Sequence, residues 1–217
     1  MNDFNSQGDT CGELHIISTG EQSPEMFVSI AAKLNEYVDA FHIREKSWSD
    51  YQLTQTIKLL HSNGIPLEKI IVNHHIDVAN AMQVRGVQLT YQSIDVSVAR
   101  KAYRSLHIGC SVHTVEEAVF AALHGADYLL YGHVFESRSK PGVKPKGLDG
   151  LKQVVQHVSI PVIAIGGITS QNTPQLINHG ASGIAVLSGV LLSSDPVAKA
   201  ISYRHALRKG AKNEETL

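Results

Sequence analysis

The chain has little of what would place it outside a reducing, aqueous compartment. Its 217 residues include two cysteines, Cys11 and Cys110, too few for a disulfide framework, so a cytoplasmic setting is expected. No stretch approaches the roughly 18 consecutive apolar residues that a spanning helix needs, which argues against a membrane protein. Residues 1–12 are polar and lack an apolar run of signal-peptide length, so secretion is not expected. Neither sign of charge dominates: 19 Lys and Arg face 20 Asp and Glu, a formal net charge of -1. Without a basic surplus, nucleic acid and acidic membrane surfaces are not expected partners.

What is present is a regular alternation. Short β-branched runs at 14–18, 40–44, 70–73, 86–89, 107–111, 128–132, 162–166 and 183–187 read as strands. Several are apolar throughout, as strands buried on both faces should be. Amphipathic stretches at 24–37, 49–63, 75–83, 94–104, 115–123, 148–156, 171–178 and 196–207 read as the intervening helices. Thr114 followed by Glu116 and Glu117 is a start signal, since a hydroxyl and nearby acids satisfy the first free amides. Ser23-Pro24 and Asp195-Pro196 put proline in a first turn, where its missing N–H costs nothing. Gly64, Gly125 and Gly180 follow helical patterns where a left-handed residue ends a helix. Eight such units predict a single (β/α)8 barrel over 13–208, between polar tails at 1–12 and 209–217. An open doubly wound sheet competes, but eight regular units with short connections favour closure.

In a barrel of this kind the loops after the strands carry the site. Candidate ligand-binding residues there are Arg44 and Lys46, Asn73, Ser111, and Ser137, Ser139 and Lys140. Gly166-Gly167 and Leu187-Ser188-Gly189 end strands seven and eight, where backbone amides can cradle a phosphate. The plainer alternative is a tight turn and a helix cap. Three cations at one rim, Arg44, Lys46 and Lys140, suit an anionic ligand. His133, directly after strand six, is the candidate acid/base group, and Glu136 either orients it, acts as a second acid/base group, or lies on the surface. The twelve histidines include no pair at metal-ligand spacing with a carboxylate, so no metal site is expected. Cys110 falls within a buried strand and reads as an inert thiol.

These residues resemble the thiamine-phosphate synthase superfamily from Leu14 to about Leu207, and more closely its TenI branch, the thiazole tautomerases. The resemblance rests on His-Ile-Arg-Glu-Lys (42–46), His-Ile-Gly-Cys-Ser-Val-His-Thr-Val-Glu-Glu-Ala (107–118) and Gly-His-Val-Phe-Glu-Ser (132–137). Ile-Pro-Val-Ile-Ala-Ile-Gly-Gly-Ile (160–168) and Gly-Ile-Ala-Val-Leu-Ser-Gly (183–189) complete it. The synthases carry Gln-x-Arg-x-Lys where this chain has His42, and Asn-Asp where it has Asn73-His74. Their Gly-Gln-x-Asp is Thr90-Tyr91-Gln92-Ser93 here. The two aspartates help to hold magnesium, and their loss removes its hard oxygen ligands.

The resemblance therefore implies an isomerase without cofactor that aromatises a carboxythiazole phosphate. His133 would move the proton, Gly167 and Ser188 would hold the phosphate, and Arg44, Lys46 or Lys140 would receive the carboxylate. A homodimer is implied as well. Two other functions remain open: thiamine-phosphate synthase, and a non-catalytic regulatory barrel.

Overall fold

Each of the eight β-branched runs becomes one strand of a single closed sheet. The computed structural model describes residues 11–137 and 139–212. Its strands are β1 (Glu13–Ile17), β2 (Ala40–Ile43), β3 (Ile70–Asn73) and β4 (Gly86–Leu89), then β5 (His107–Val112), β6 (Tyr128–Gly132), β7 (Val162–Ile165) and β8 (Gly183–Val186). They pair in parallel in chain order, and β8 returns to β1, with Glu13 opposite Gly183 and Ile16 opposite Val186. The predicted (β/α)8 barrel is therefore the observed fold.

The helices are α1 (Pro24–Leu34), α2 (Asp50–Ser62), α3 (Ile76–Ala81), α4 (Val96–Ala102) and α5 (Val115–Leu123), followed by α6 (Gly147–His157), α7 (Thr173–Asn178), α8 (Ser188–Leu191) and α9 (Pro196–Lys212). The Thr114 side chain accepts from the Glu117 amide, as the start signal predicts. Ser49 closes a full capping box with Gln52 at α2. Gly64, Gly125 and Gly180 all have positive φ, at 87°, 103° and 85°. Helix α3 is shorter than its pattern because left-handed residues bracket it, His74 at φ 67° and Gln83 at φ 51°. Helix α9 instead runs through 209–212, which the sequence reading placed in a tail. Gly210 lies against Ile177 of α7, where even a Cβ would come within 2.6 Å, so packing carries the helix onward. The four-residue α8 and a 3-10 turn at Leu67–Lys69 are too short to show a period. Among the described residues no helix is long and apolar enough to cross a membrane.

Alternation along each strand divides the core in two. Leu14, Ile16, Phe41, Ile43, Val72, Leu129 and Ile184 face outward into the helix layer, and each is wholly buried. Burying an aliphatic side chain of this size contributes about 1.5–3 kcal/mol, so this layer supplies most of the driving force. The barrel lumen is filled by Ile17, Ala40, Ile71, Tyr128, Leu130, Ile163 and Ala185. The Tyr128 ring occupies the space left by Gly109, where a Cβ would stand 2.1 Å from it. At the N-terminal face, Asp127 takes the Arg100 guanidinium and the Ile108 amide, and Asp39 takes Arg204 and the Leu14 amide. These pairs tie strand starts to helices and leave the opposite face for chemistry.

Candidate active site

A cleft of about 570 Å³ opens at the C-terminal ends of the strands. Of the predicted site residues, Arg44, Lys46, Ser111, His133, Ser137, Ser139, Lys140, Gly166, Leu187 and Ser188 line it. Asn73 is buried outside the cleft lining. Gly167 and Gly189 stand behind the wall; the Gly167 carbonyl accepts from Asn172 Nδ2 at 3.0 Å. The cleft also takes in Thr19, Glu21, Thr90, Tyr91 and His113. Thr19 and Glu21 follow β1, so the strand-end rule that found the others also reaches them. Tyr91 is carried in by the loop after β4.

The segment after β6 forms the wall opposite Arg44. It is fastened at both ends: the Val134 amide donates to Ile165 and the Phe135 amide to Gly166, while the Lys146 and Gly147 amides return to His133 and Val134. Within it, His133 is 5% exposed. Its Nε2 lies 3.1 Å from the Val143 carbonyl. A carbonyl only accepts, so Nε2 carries the hydrogen. Nδ1, buried and without a partner, is then left as an acceptor. Gly166 and Gly167 have φ of 100° and 66°. A Cβ would meet His133 Cβ at 2.2 Å from the first and the Glu136 carbonyl at 2.3 Å from the second. Glycine is thus required twice here, by conformation and by close approach.

Below the floor the lumen carries a polar chain. His15 Nε2 lies 2.6 Å from Glu13 Oε2, and His15 Nδ1 lies 2.9 Å from His42 Nε2. Arg85 approaches Glu13 at 3.4 Å. The hydrogen bond from His15 is the main reason the Glu13 carboxyl is lowered to about 2, with the charges of His15 and Arg85 adding to it against desolvation. Burial holds His42 well below the usual histidine range. Tyr128 donates to Gln88 Oε1 at 2.7 Å, and Gln88 Nε2 donates to Ser111 Oγ at 3.1 Å, which steadies a cleft residue from beneath. Burial pushes the Cys110 thiol up to about 12, so it is a poor nucleophile, as its strand position suggests.

The magnesium that the resemblance associates with the synthases does not fit this donor set. His74 stands where one aspartate would, its ring 2.8 Å from Ser93 Oγ. Burial lowers its pKa, and the nearby charges of His75, Arg44 and Lys46 lower it further. Glu45 accepts from the Gly20 amide, Asp50 bonds His75, and Asp95 caps α4 through Ser97. Among the described residues no three metal-ligating side chains converge. Among the described residues the cleft lining contains one carboxylate, Glu21, the fewest that magnesium takes beside substrate phosphates, and it is not at either aspartate position.

The chain can now be set beside known proteins. The family profile of thiamine monophosphate synthase matches residues 14–190. Thiamine-phosphate synthase from Chloroflexus aurantiacus is 40% identical over 166 residues, covering 74% of this chain and 76% of its own. The protein of the same name from Pyrococcus abyssi is 37% identical over 186 residues, covering 84% and 88%. The solved thiamine phosphate pyrophosphorylase from Pyrococcus furiosus superposes with a TM-score of 0.80 at 30% identity, covering 93% of this chain and 98% of its own. A 3-hexulose-6-phosphate synthase at 19% identity and TM-score 0.69 shares the fold alone.

These relatives correct the sequence expectation of a thiazole tautomerase. They are synthases, which are transferases and not isomerases, and their likeness spans most of the chain while the tautomerase reading rested on a few positions. The chain belongs to the thiamine monophosphate synthase family.

Proposed function

We propose that the chain is a thiamine-phosphate synthase, joining a thiazole phosphate to a pyrimidine carried as its pyrophosphate ester. The ring nitrogen of the thiazole supplies the electron pair for a new C–N bond to the pyrimidine's exocyclic carbon. The C–O bond to pyrophosphate breaks, and pyrophosphate leaves with the electron pair of that C–O bond. The observation that carries this reading is one cleft with two anion-binding sides. Gly166, Leu187 and Ser188, which line the cleft, offer amide and hydroxyl donors to a monophosphate. Arg44 and Lys46 after β2 and Lys140 in the segment after β6 line the same cleft with charge suited to a diphosphate.

A ring nitrogen lone pair needs no base, so on this reading His133 does not shuttle a proton. Its ring, held to the Val143 carbonyl through Nε2, instead forms part of the cleft wall and helps to orient the bound heterocycle. Ser111, steadied by Gln88, and the loop-six hydroxyls Ser137 and Ser139 add polar contacts, and Asn73 supports the floor. The synthase names and identities of the relatives support the same chemistry.

The test is product formation. Purified protein, thiazole phosphate and pyrimidine pyrophosphate should yield thiamine phosphate and pyrophosphate, both followed by chromatography. Ser188→Ala should raise KM for thiazole phosphate about tenfold, the worth of one hydrogen bond to a charged group. No product under any metal condition would overturn the reading.

A further inference from the structure

We propose that this chain takes its diphosphate directly onto Arg44, Lys46 and Lys140, without a divalent cation; the inference rests on the synthase reading above. Three observations carry it.

The first is that these cations make no ion pair among the described residues. Arg85, Arg100 and Arg204 each pair with a carboxylate. The side chains of Arg44, Lys46 and Lys140 make no ion pair or hydrogen bond among the described residues, yet all three line one cleft. A half-buried guanidinium left unpaired while others of its kind are paired is suited to an outside anion.

The second is the state of the acids. Glu45, Asp50 and Asp95 are each engaged within the protein, and Glu21 alone lines the cleft. One carboxylate is the fewest that magnesium takes beside a diphosphate, and Glu21 stands on the loop after β1, whereas the places of the two synthase aspartates are held by His74 and Ser93, bonded to each other.

The third is the field at the rim. His74 feels the charges of both Arg44 and Lys46, so this part of the cleft is positive. Such a field repels a divalent cation and attracts an anion. A phosphate monoester carries about −1.5 to −2 near neutral pH, and a diphosphate carries more, a charge three cations can meet. Arg44 suits bidentate contact with phosphate oxygens, while the lysines act as point charges.

Calorimetric titration of inorganic pyrophosphate into the full chain, in EDTA and separately in magnesium, tests this. Binding in EDTA is expected, with magnesium improving affinity by less than about threefold. Arg44→Gln should weaken it about tenfold or more, the worth of a charge-assisted hydrogen bond. Lys140→Ala, at an exposed position where folding is not at stake, should weaken it also. Affinity should fall steeply as salt rises. Binding that requires magnesium, or no binding in either condition, overturns the proposal. The product assay run in EDTA separates the two readings. Pyrophosphate bound in EDTA without product formation under any condition sinks the synthase reading and leaves the anion site. Product that forms only with magnesium does the reverse.

Discussion

Replacing Glu13 by Gln should make the protein less stable at neutral pH and almost equally stable in acid. In the fold, the carboxyl titrates at about 2 against an ordinary 4.5, with the His15 hydrogen bond as the largest cause. At about 1.4 kcal/mol per unit, that shift corresponds to about 3 kcal/mol if fully expressed. The side chain is 42% exposed, however, and solvent screening brings the expectation to about 1–2 kcal/mol. The sign follows from linkage. A depressed carboxyl stabilises the fold above its unfolded value of 4.5, and that contribution is lost as pH falls through 4.5 toward 2. Glutamine keeps the shape and can still accept from His15 Nε2, so the substitution removes charge more than geometry. Urea unfolding of both proteins at intervals from about pH 6 to about pH 2 would show a gap of about 1–2 kcal/mol that is level above 4.5 and narrows from there toward 2. Arg85→Gln should open a smaller gap, because its guanidinium stands at 3.4 Å where His15 stands at 2.6 Å. A gap that is constant across the range, or no gap at all, would refute the linkage argument and the ionic character of this chain.

Two further substitutions test the lumen and the cradle. Tyr128→Phe strands the buried Gln88 Oε1 that Tyr128 now satisfies at 2.7 Å; a loss of about 1–3 kcal/mol is expected in urea unfolding, and Ser111 should shift because Gln88 also holds it. Gly167→Ala places a methyl 2.3 Å from the Glu136 carbonyl at a φ of 66°. Strain of about 1–2 kcal/mol from the backbone alone is expected, and weaker binding of inorganic phosphate by calorimetry should accompany it because loop six must move.

How much of this was legible beforehand depends on what each feature rests on. Strands β4 and β6 each carry a glycine at one end, Gly86 and Gly132, beside apolar or aromatic residues, and their limits were readable to the residue. The ends of α3 and α9 were not. One is set by left-handed backbone at His74 and Gln83, and the other by the close seat of Gly210 on Ile177, both consequences of tertiary packing. The polar chain under the floor needs β1 beside β2, with Ile17 opposite His42, and no local pattern announces that a glutamate two residues before a histidine reaches it inside a barrel.

The site was legible as a list of strand-end residues and illegible as chemistry. His133 and the missing aspartates looked like the marks of proton transfer, because a sequence shows which groups are present but not which are free. In the fold, His133 donates to a backbone carbonyl and the nearby acids are mostly occupied. Among the described residues, the side chains of the cations Arg44, Lys46 and Lys140 make no ion pair or hydrogen bond, and in the cleft lining they outnumber the single carboxylate of Glu21. An ion pair made elsewhere in the chain removes a side chain from the site as surely as a mutation does. Which charges remain available to a ligand is therefore a property of the folded molecule, and here those charges are positive.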